Sequence, residues 1–477
     1  MHKFRLHPLI GVMAICLIMA SCKVPAITQV SENRTVPSTY GVSGDTTNMS
    51  SVSWKTFFTD PNLVNLIDTA LTRNQELNIT LQEIEIAKND VLLRQGPLRP
   101  YLSARVGASV EKVGRYTSQG AGDASTEIKP GEEVPDILTD YAPTLYASWE
   151  VDIWKKLRNA KKAAILRYLS STEGRNFALT NLVAEVANSY YELLSLDNQL
   201  EIVRQSIGLQ KNAMEIVKIQ KEAAKATELA VQKFQAEVLK SQSLEFDILQ
   251  NIKETENRIN FLLARYPQEI PRDKSSFLTL VPSAVSAGIP AQLLANRPDI
   301  KQAELDLAAA RLDVKVARAE FYPSLDITAV LGLQAFKPTY LVHLPESVLF
   351  SVAGDLAAPL INRNAIKAEF YSANARQLQA IYNYERTILN GYLEVATQLS
   401  KIDNVGKSYD LKSKQVQALT ESINIANDLF KSARADYFEV LMTQRDALEA
   451  KLELVETKRD QLSAVVNVFR DLGGGWK

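Results

Sequence analysis

The alternation of hydrophobic and polar residues changes its period at one proline within residues 297–333. Up to Phe321, alanines, leucines, valines and charged residues recur at helical spacing. Pro323 ends this helix, because proline has no N–H and disfavours a helical conformation in the residue before it. After Pro323 every second residue is apolar: Leu325, Ile327, Ala329, Leu331 and Leu333. The segment therefore predicts a helix that leads directly into an amphipathic strand.

The same transition occurs earlier in the chain. Residues 87–95 have a helical pattern, Pro97 and Pro100 interrupt it, and alternating residues follow from Leu102. Several identical residues of the two segments are separated by one constant interval: Asp90/Asp313, Val91/Val314, Pro100/Pro323 and Leu102/Leu325. Self-similarity at a fixed interval indicates an internal duplication. The predicted fold is mainly helical, with a duplicated helix–strand–strand–helix unit.

Four segments alternate between apolar and polar residues, two in each repeat: about 101–113, 143–153, 324–334 and 347–357. Each is roughly ten residues long, which is the length of a tilted transmembrane β-strand, and the alternation is typical of such a strand. Charged residues on the polar faces are candidates to face a channel lumen: Arg105, Glu150, Asp152 and Asp326. The alternative is a solvated sheet in which these side chains only face water.

Heptad spacing predicts two long helices that end in short breaks. The first seam contains Leu179, Val186, Leu193, Leu200 and Ile207, and the second contains Ile388, Val395, Ile402, Tyr409, Val416, Ile423 and Phe430. Breaks near 223–227 and 433–436 separate each long helix from a shorter returning helix. At about 1.5 Å per residue, each long helix spans on the order of 100 Å. We expect two shorter helices, stacked end to end, to match each long one, which gives four helical rods.

The N-terminal residues have the pattern of a secretory signal that ends at a lipidation site. Basic residues precede an apolar run, residues 9–20, that is too short to span a bilayer. Small residues and then Cys22 follow, as in bacterial lipoproteins, so Cys22 is the predicted lipidation site. An ordinary signal peptide cut near Ala20 is the alternative. No later segment has the ~18 consecutive apolar residues of a membrane helix, so any spanning part must be strand.

These features divide the chain into six predicted segments. They are a signal peptide at 1–21, a lipid-anchored extended tether at 22–53, a first repeat at 54–265, a connector at 266–289, a second repeat at 290–472 and a C-terminal tail at 473–477. The tether is expected because its residues are rich in Ser, Thr, Val and Asn and lack periodicity. Within the first repeat, one helix is predicted to run from Pro61 to Gln95.

The composition offers little that would support catalysis or nucleic-acid binding. The net charge is -1 in 477 residues, with no basic stripe, so electrostatics give no basis for binding nucleic acid. Of the three histidines, two lie in the signal segment and His343 lies in a predicted loop. The sequence has no metal-ligand spacing, phosphate loop or nucleophile motif. We therefore expect no enzymatic activity, no metal and no cofactor.

Four short motifs carry a resemblance to a known family. They are WKTFFTDPNL at 54–63, RPDI at 297–300, FYPSL at 321–325 and YFEVL at 437–441, the last followed by Gln444 and Arg445. In this order, on a duplicated frame, they resemble the TolC-like outer-membrane efflux proteins. The resemblance is strongest to the lipoprotein branch that serves resistance–nodulation–division pumps. It covers nearly the whole chain after the signal segment.

The resemblance implies a homotrimer in which four strands per chain contribute to a twelve-strand β-barrel in the bacterial outer membrane. It also implies a long α-helical coiled-coil barrel in the periplasm, a periplasmic adaptor (membrane fusion) protein and an inner-membrane pump. The implied function is a passive exit duct of a tripartite efflux system, whose cargo the sequence does not name. The alternative is a structural coiled-coil periplasmic lipoprotein without channel activity, which explains the heptads but not the four alternating segments.

The resemblance places a gate at the two helix breaks. Its candidate residues are Thr227, Glu228, Ala433, Asp436, Glu439 and Met442. Ala433 stands where the family usually has glycine. Of two acidic residues that the family places beyond this turn, Glu439 matches the first and Met442 replaces the second, while the nearby Asp436 is a candidate to compensate. Three Glu439 carboxylates around one axis would hold water and cations in a narrow pore; the alternative is an ordinary exposed helix charge.

Overall fold

The computed structural model describes residues 24–27, 30–40, 48–274, 277–282, 285–432 and 434–476. The predicted signal segment 1–21, the predicted lipidation site Cys22 and the gate candidate Ala433 lie outside the described residues. The chain divides into two compact units, and each unit draws on both sequence repeats. Apart from N-terminal residues, the first unit consists of Glu85–Leu169 and Leu305–Ile381. The second unit consists of Glu32–Ile84, Ser170–Glu304 and Tyr382–Lys477.

The first unit contains a four-stranded antiparallel sheet. Its strands are β1 (Tyr101–Glu111), β2 (Leu138–Val151), β3 (Ser324–Leu333) and β4 (Val348–Ala357), and they pair in that order. β1 and β2 form one hairpin, β3 and β4 form the other, and the pairing of β2 with β3 joins the two sequence repeats. The prediction of a mainly helical chain with four antiparallel strands is confirmed.

Strand β2 begins before Pro143, where the alternation predicts its start. Tyr141 already continues the ladder opposite Ala108 of β1. Pro143 lies opposite Leu333 at the end of β3, because the register that pairs Thr144 with Gly332 continues beyond the proline to a bridge between Tyr141 and Ala335. The backbone groups of Tyr141 hydrogen-bond to Ala335, and those of Pro143 face the same side, so the missing N–H of the proline interrupts the ladder between β2 and β3 near its end.

Seven helices of more than ten residues lie in the described part of the chain. They are α1 (Pro61–Arg73), α2 (Gln75–Gln95), α3 (Lys156–Glu222), α4 (Glu228–Leu262), α5 (Pro298–Ala319), α6 (Asn364–Lys431) and α7 (Tyr437–Asp471). Shorter helices span Trp54–Phe57, Ser118–Asp123 and Leu293–Asn296. None of the described helices combines the length and the hydrophobicity that crossing a bilayer requires.

The helix predicted from Pro61 to Gln95 is interrupted at Asn74, which has an extended ψ of 128°. Its side-chain oxygen accepts a hydrogen bond from the N–H of Leu77 at 2.9 Å, and its amide donates to the carbonyl oxygen of Leu262 at 2.9 Å. Asn74 thus caps the start of α2 and ties it to the end of α4. The hydrophobic period continues through this position, so the pattern alone does not reveal the break.

The first heptad seam is buried in the second unit. Its five residues are at most 9% exposed: Leu179, Val186, Leu193, Leu200 and Ile207. In the second seam Ile388, Val395 and Ile423 are buried, whereas Ile402 and Tyr409 are half-buried. The seven-residue spacing therefore identifies the packed faces of α3 and α6.

Residues 32–40 have an extended conformation within the second unit. The backbone N–H of Asn33 donates a hydrogen bond to Glu385 Oε1 at 2.8 Å. The guanidinium of Arg34 forms an ion pair with Glu304 at 2.9 Å. These contacts attach this part of the predicted tether to α5 and α6.

Candidate functional site

The register of the sheet places apolar residues of all four strands on one face. Two of the rows across the sheet are Leu102–Ala147–Ala329–Val352 and Ala104–Leu145–Leu331–Phe350. This face is open in the single chain, where Val106 is 86% exposed, Val352 77% and Phe350 75%. An exposed apolar face made by alternate residues of long strands is typical of the lipid-facing side of a transmembrane sheet.

The opposite face carries a row of three carboxylates on neighbouring strands. Glu150 of β2 lies opposite Asp326 of β3, and Asp326 lies opposite Asp355 of β4. Glu150 is paired with Lys156 at 2.7 Å, and Ser324 Oγ is 3.3 Å from Asp326 Oδ2. The structure thus brings two lumen candidates together and adds Asp355. The alternation marks Asp355 only as polar, because the register between strands is not visible in the sequence.

Arg105, the basic lumen candidate, lies on the same face as this acidic row but well along β1. It is opposite Thr144 of β2, and its guanidinium lies 4.1 Å from the centre of the Tyr146 ring. A cation over an aromatic face is attracted by the ring's negative face. On the polar face, Arg105 therefore lies in a different row from Glu150, Asp326 and Asp355.

Asp152 lies one residue beyond β2 and starts a helix. Its carboxylate accepts hydrogen bonds from the backbone N–H groups of Leu157 and Arg158, both at 3.0 Å, and from Arg158 Nε at 2.9 Å. Burial raises the pKa of this carboxyl, but the hydrogen bonds from Arg158 and Leu157 outweigh burial, and the pKa lies below its ordinary value. Asp152 therefore fixes the direction in which α3 leaves the strand, a role that the alternation of the strand does not predict.

The break between α3 and α4, in the second unit, is a compact turn. The N–H of Lys225 donates to the carbonyl oxygen of Gln220 at 2.8 Å, which is the outer hydrogen bond of a Schellman motif. Ala224 occupies the left-handed position of the motif, with φ 56°. Thr227 then begins α4, since its Oγ1 accepts a hydrogen bond from the N–H of Ala230 at 3.2 Å.

The break between α6 and α7 has the same plan. The N–H of Arg434 donates to the carbonyl oxygen of Leu429 at 2.9 Å, which corresponds to the outer bond of the first turn. Asp436 precedes α7, but its side chain makes no capping hydrogen bond to the described residues of that helix. Asp436 and Glu439 are exposed, and Met442 is half-buried.

One apolar cluster joins the two turns. Its buried members come from α3, α4, α6 and α7: Ala213, Val217, Ala230, Val231, Phe234, Ala426, Val440 and Leu441. Ala226 of the first turn and Tyr437 after the second pack against it. The predicted gate residues Thr227, Glu228, Asp436 and Glu439 therefore lie on two turns that share a core. Displacing either turn requires this cluster to repack.

Glu228 and Glu439 both lie in the first turn of a helix, but their partners differ. Glu228 forms an ion pair with Lys221 and accepts a hydrogen bond from Gln232 Nε2 at 2.8 Å. The hydrogen bonds from Gln232 and Lys221 lower the pKa of Glu228. Glu439 is exposed, and among the described residues it has no ion pair. Within the part of the chain that the structure describes, Glu439 therefore lacks the paired cation that Glu228 has in Lys221.

Comparison with known proteins identifies relatives of the whole chain. The family model described as outer membrane efflux protein matches residues 66–265 and 289–474. The pyoverdine export outer membrane protein OpmQ of Pseudomonas aeruginosa is 27% identical over 472 residues, which cover 98% of this chain and 97% of OpmQ. The toluene efflux pump outer membrane protein TtgF of Pseudomonas putida is 27% identical over 426 residues, which cover 89% of this chain and 86% of TtgF.

A solved structure has the same fold. The open state of the Neisseria gonorrhoeae MtrE outer membrane channel matches with a TM-score of 0.82 and 23% identity, covering 95% of this chain and 98% of MtrE. The family match includes both repeats, so the resemblance carried by the four motifs is confirmed. The chain belongs to the outer membrane efflux protein family, and it is an efflux channel protein of the bacterial outer membrane and not an enzyme.

Proposed function

We propose that three copies of this chain form the exit duct of a tripartite efflux system. The duct is a passive channel through the outer membrane. Its substrates come from an inner-membrane pump, of the resistance–nodulation–division type, through a periplasmic adaptor protein. The observation that carries this proposal is the sheet, which has an exposed apolar face and two unpaired edges within one chain.

The open edges require other copies of the chain. β1 and β4 each pair on one side only among the described residues. In hydrocarbon each unpaired backbone N–H or C=O costs several kcal/mol, so a spanning sheet must close. The strands alternate in direction, so β1 of one copy can pair antiparallel with β4 of the next. Three copies supply about twelve strands, which is within the size range of outer-membrane barrels.

The lipid anchor supports the same placement in the membrane. Cys22 follows a signal segment that ends in small residues, and it is the only cysteine that remains once that segment is removed. Acylation of Cys22 would hold the start of the mature chain at the outer membrane.

The cargo is chosen mainly by the pump. The names of OpmQ and TtgF refer to pyoverdine and to toluene, two chemically unrelated substrates, although both proteins have the same identity to this chain. Similarity at this level therefore does not select a cargo.

The two turns that share the apolar cluster are the parts we assign to the gate and to contact with the adaptor.

Cysteine crosslinking tests the closure of the barrel. The mature chain has no thiol besides the acylated Cys22, so a pair of introduced cysteines, one in β1 and one in β4, reports a specific contact. When the two introduced cysteines lie opposite each other across the β1–β4 contact, we expect oxidation to give a covalent trimer in denaturing gels. When one cysteine is shifted along its strand, we expect no covalent trimer. The same protein should conduct ions in planar bilayers. A monomer that neither crosslinks nor conducts would contradict the proposal.

A further inference from the structure

The two loops at one end of the sheet form the walls of an open cavity of about 440 Å³. One wall is the loop at 334–347, between β3 and β4. The other wall is a small hairpin, Glu127–Lys129 paired with Glu132–Glu133, in the loop between β1 and β2. The volume lies within the range of small-molecule sites, which are roughly 300–1,000 Å³.

Hydrogen bonds hold one wall of this cavity, the loop at 334–347, in place. Ser347 is buried, and its Oγ lies 2.9 Å from the carbonyl oxygen of Leu341 and 2.8 Å from that of His343. The Oγ1 of Thr139, in β2, lies 2.5 Å from the carbonyl oxygen of Phe336. The backbone of the longer loop is thus tied to itself and to the sheet. A ligand would therefore meet one wall that is already ordered, which lowers the entropic cost of binding.

Aromatic rings form the apolar part of the wall. The centres of the Phe336 and Tyr340 rings are 5.1 Å apart, with 47° between their planes, and His343 lies 5.4 Å from Tyr340 in an edge-to-face arrangement. Phe336 and Tyr340 are half-buried. Such rings offer flat apolar surfaces at a low cost in side-chain entropy, and Tyr340 adds a polar tip.

The polar part of the wall is balanced in charge. Lys129 lines the cavity and forms an ion pair with Glu132, and Lys337 lies 3.8 Å from the same carboxylate; Glu132 and Lys337 are not among the residues that line the cavity. Glu346 lines the cavity and has no ion pair among the described residues. The lining thus contains one lysine and one carboxylate, Lys129 and Glu346, so neither an anion nor a cation is favoured as a ligand. A purely apolar ligand would bury Glu346 and Lys129 without hydrogen bonds, at a considerable cost.

We propose that this cavity binds the pyranose ring of an uncharged saccharide unit. A pyranose has an apolar face of C–H groups that can lie on Phe336 or Tyr340, and a rim of hydroxyls that both donate and accept hydrogen bonds. Glu346 accepts from such hydroxyls and Lys129 donates to them. Two sources carry this chemistry at a cell surface: the core oligosaccharide of lipopolysaccharide and free soluble sugar.

The test uses the full-length protein in detergent micelles and a lipid-free core oligosaccharide prepared from lipopolysaccharide. Saturation-transfer NMR should show magnetisation reaching the ring protons of the sugar, and titration gives a dissociation constant. Tyr340→Ala should weaken binding by about tenfold, because truncation of an aromatic anchor commonly removes this much affinity. Tyr116→Ala is the matched control, since Tyr116 is a fully exposed aromatic residue that does not line the cavity.

A second variant keeps the shape of the cavity and changes only its chemistry. Glu346→Gln should weaken binding severalfold, and both variants should keep the thermal denaturation profile of the unchanged protein. If saturation transfer also reaches free glucose, and if Tyr340→Ala abolishes it, the result supports the proposal with soluble sugar as the source. Absence of transfer to any sugar, or equal dissociation constants for Tyr340→Ala and Tyr116→Ala, would overturn it. Binding of intact lipopolysaccharide without binding of the lipid-free oligosaccharide would also overturn it, because lipid would then be recognised.

Discussion

Ala224 holds a backbone conformation that alanine adopts only at a cost. Its φ of 56° lies in the left-handed region, where the Cβ atom of an L-residue approaches the following carbonyl group at a cost of roughly 1–2 kcal/mol. Glycine is the usual residue at this position of a Schellman motif. The Lys225–Gln220 hydrogen bond nevertheless closes the turn at 2.8 Å. The turn is therefore formed but less stable than its hydrogen bonds alone would make it.

We predict that Ala224→Gly stabilises this turn. Relief of the left-handed strain is partly offset by the greater freedom of glycine in the unfolded chain, which leaves a gain of about 0.5–1 kcal/mol. Hydrogen exchange at the N–H of Lys225 should slow by roughly two- to fivefold. Ala223→Gly, one residue earlier and outside the positive-φ residues, should instead speed exchange. Equal effects of the two substitutions would show that strain at Ala224 is unimportant.

At the scale of single residues, the sequence predicts residue types better than their contacts. Alternation puts both Asp152 and Asp326 on polar strand faces, but the structure engages Asp152 with the start of α3 and leaves Asp326 in a row with Glu150 and Asp355. Alternation reports only which face a side chain occupies. The residues that meet are determined by the register and by the element next in the chain, and both are set by tertiary pairing.

At the scale of elements, a buried ion-pair group attaches the connector to two helices. The guanidinium of Arg272 pairs with Asp197 of α3 and, at 2.9 Å, with Glu256 of α4. The side chains of Arg272 and Asp197 are 4% and 2% exposed. Lys274, which is more exposed, lies 3.4 Å from Asp197. Removing Arg272 would therefore leave two carboxylates in a poorly solvated site with only exposed lysines as partners, Lys274 for Asp197 and Lys253, at 3.7 Å, for Glu256.

We predict that Arg272→Ala loosens the connector. Breaking one side of a buried ion pair costs about 3–5 kcal/mol, so chymotryptic cleavage within the connector should accelerate by roughly a hundredfold to a few thousandfold when opening and closing are faster than cleavage. Arg258→Ala is the matched control. Arg258 also links α4 to α3, through Glu192 at 2.9 Å, but its side chain is half exposed, and such pairs contribute about 1 kcal/mol or less. Similar cleavage rates for both variants would contradict this role of the connector.

The sheet allows a comparison of two adjacent residues on opposite faces. Val352 lies on the apolar face and Ser351 on the polar face of β4. If the apolar face contacts lipid, Val352→Lys should destabilise the inserted barrel by about 2–4 kcal/mol, and Ser351→Lys much less. The yield of heat-stable oligomer in outer-membrane fractions measures the difference. Equal yields of heat-stable oligomer for the two lysine variants would contradict contact of the apolar face with lipid.

At the scale of the whole molecule, the sequence predicts the duplication but not how the two copies combine. The heptad seams and the four alternating segments identify α3, α6 and the strands within a few residues. The structure shows that the sheet joins the repeats through β2 and β3, and that one apolar cluster joins their helix turns. These contacts connect residues far apart in the chain, so no local period reveals them.

We predict that Glu439 contributes to ion selectivity in the assembled channel. In the proposed trimer three Glu439 carboxylates would surround one axis, and Glu439 has no ion pair among the described residues. Glu439→Gln should reduce the preference for cations by roughly two- to fivefold, as expected for about 0.5–1 kcal/mol of partly screened charge interaction. Glu228→Gln changes the net charge equally, but Glu228 is already paired with Lys221, so the change should be smaller. Reversal potentials in planar bilayers under a salt gradient measure both variants, and identical shifts would exclude a gate charge at Glu439.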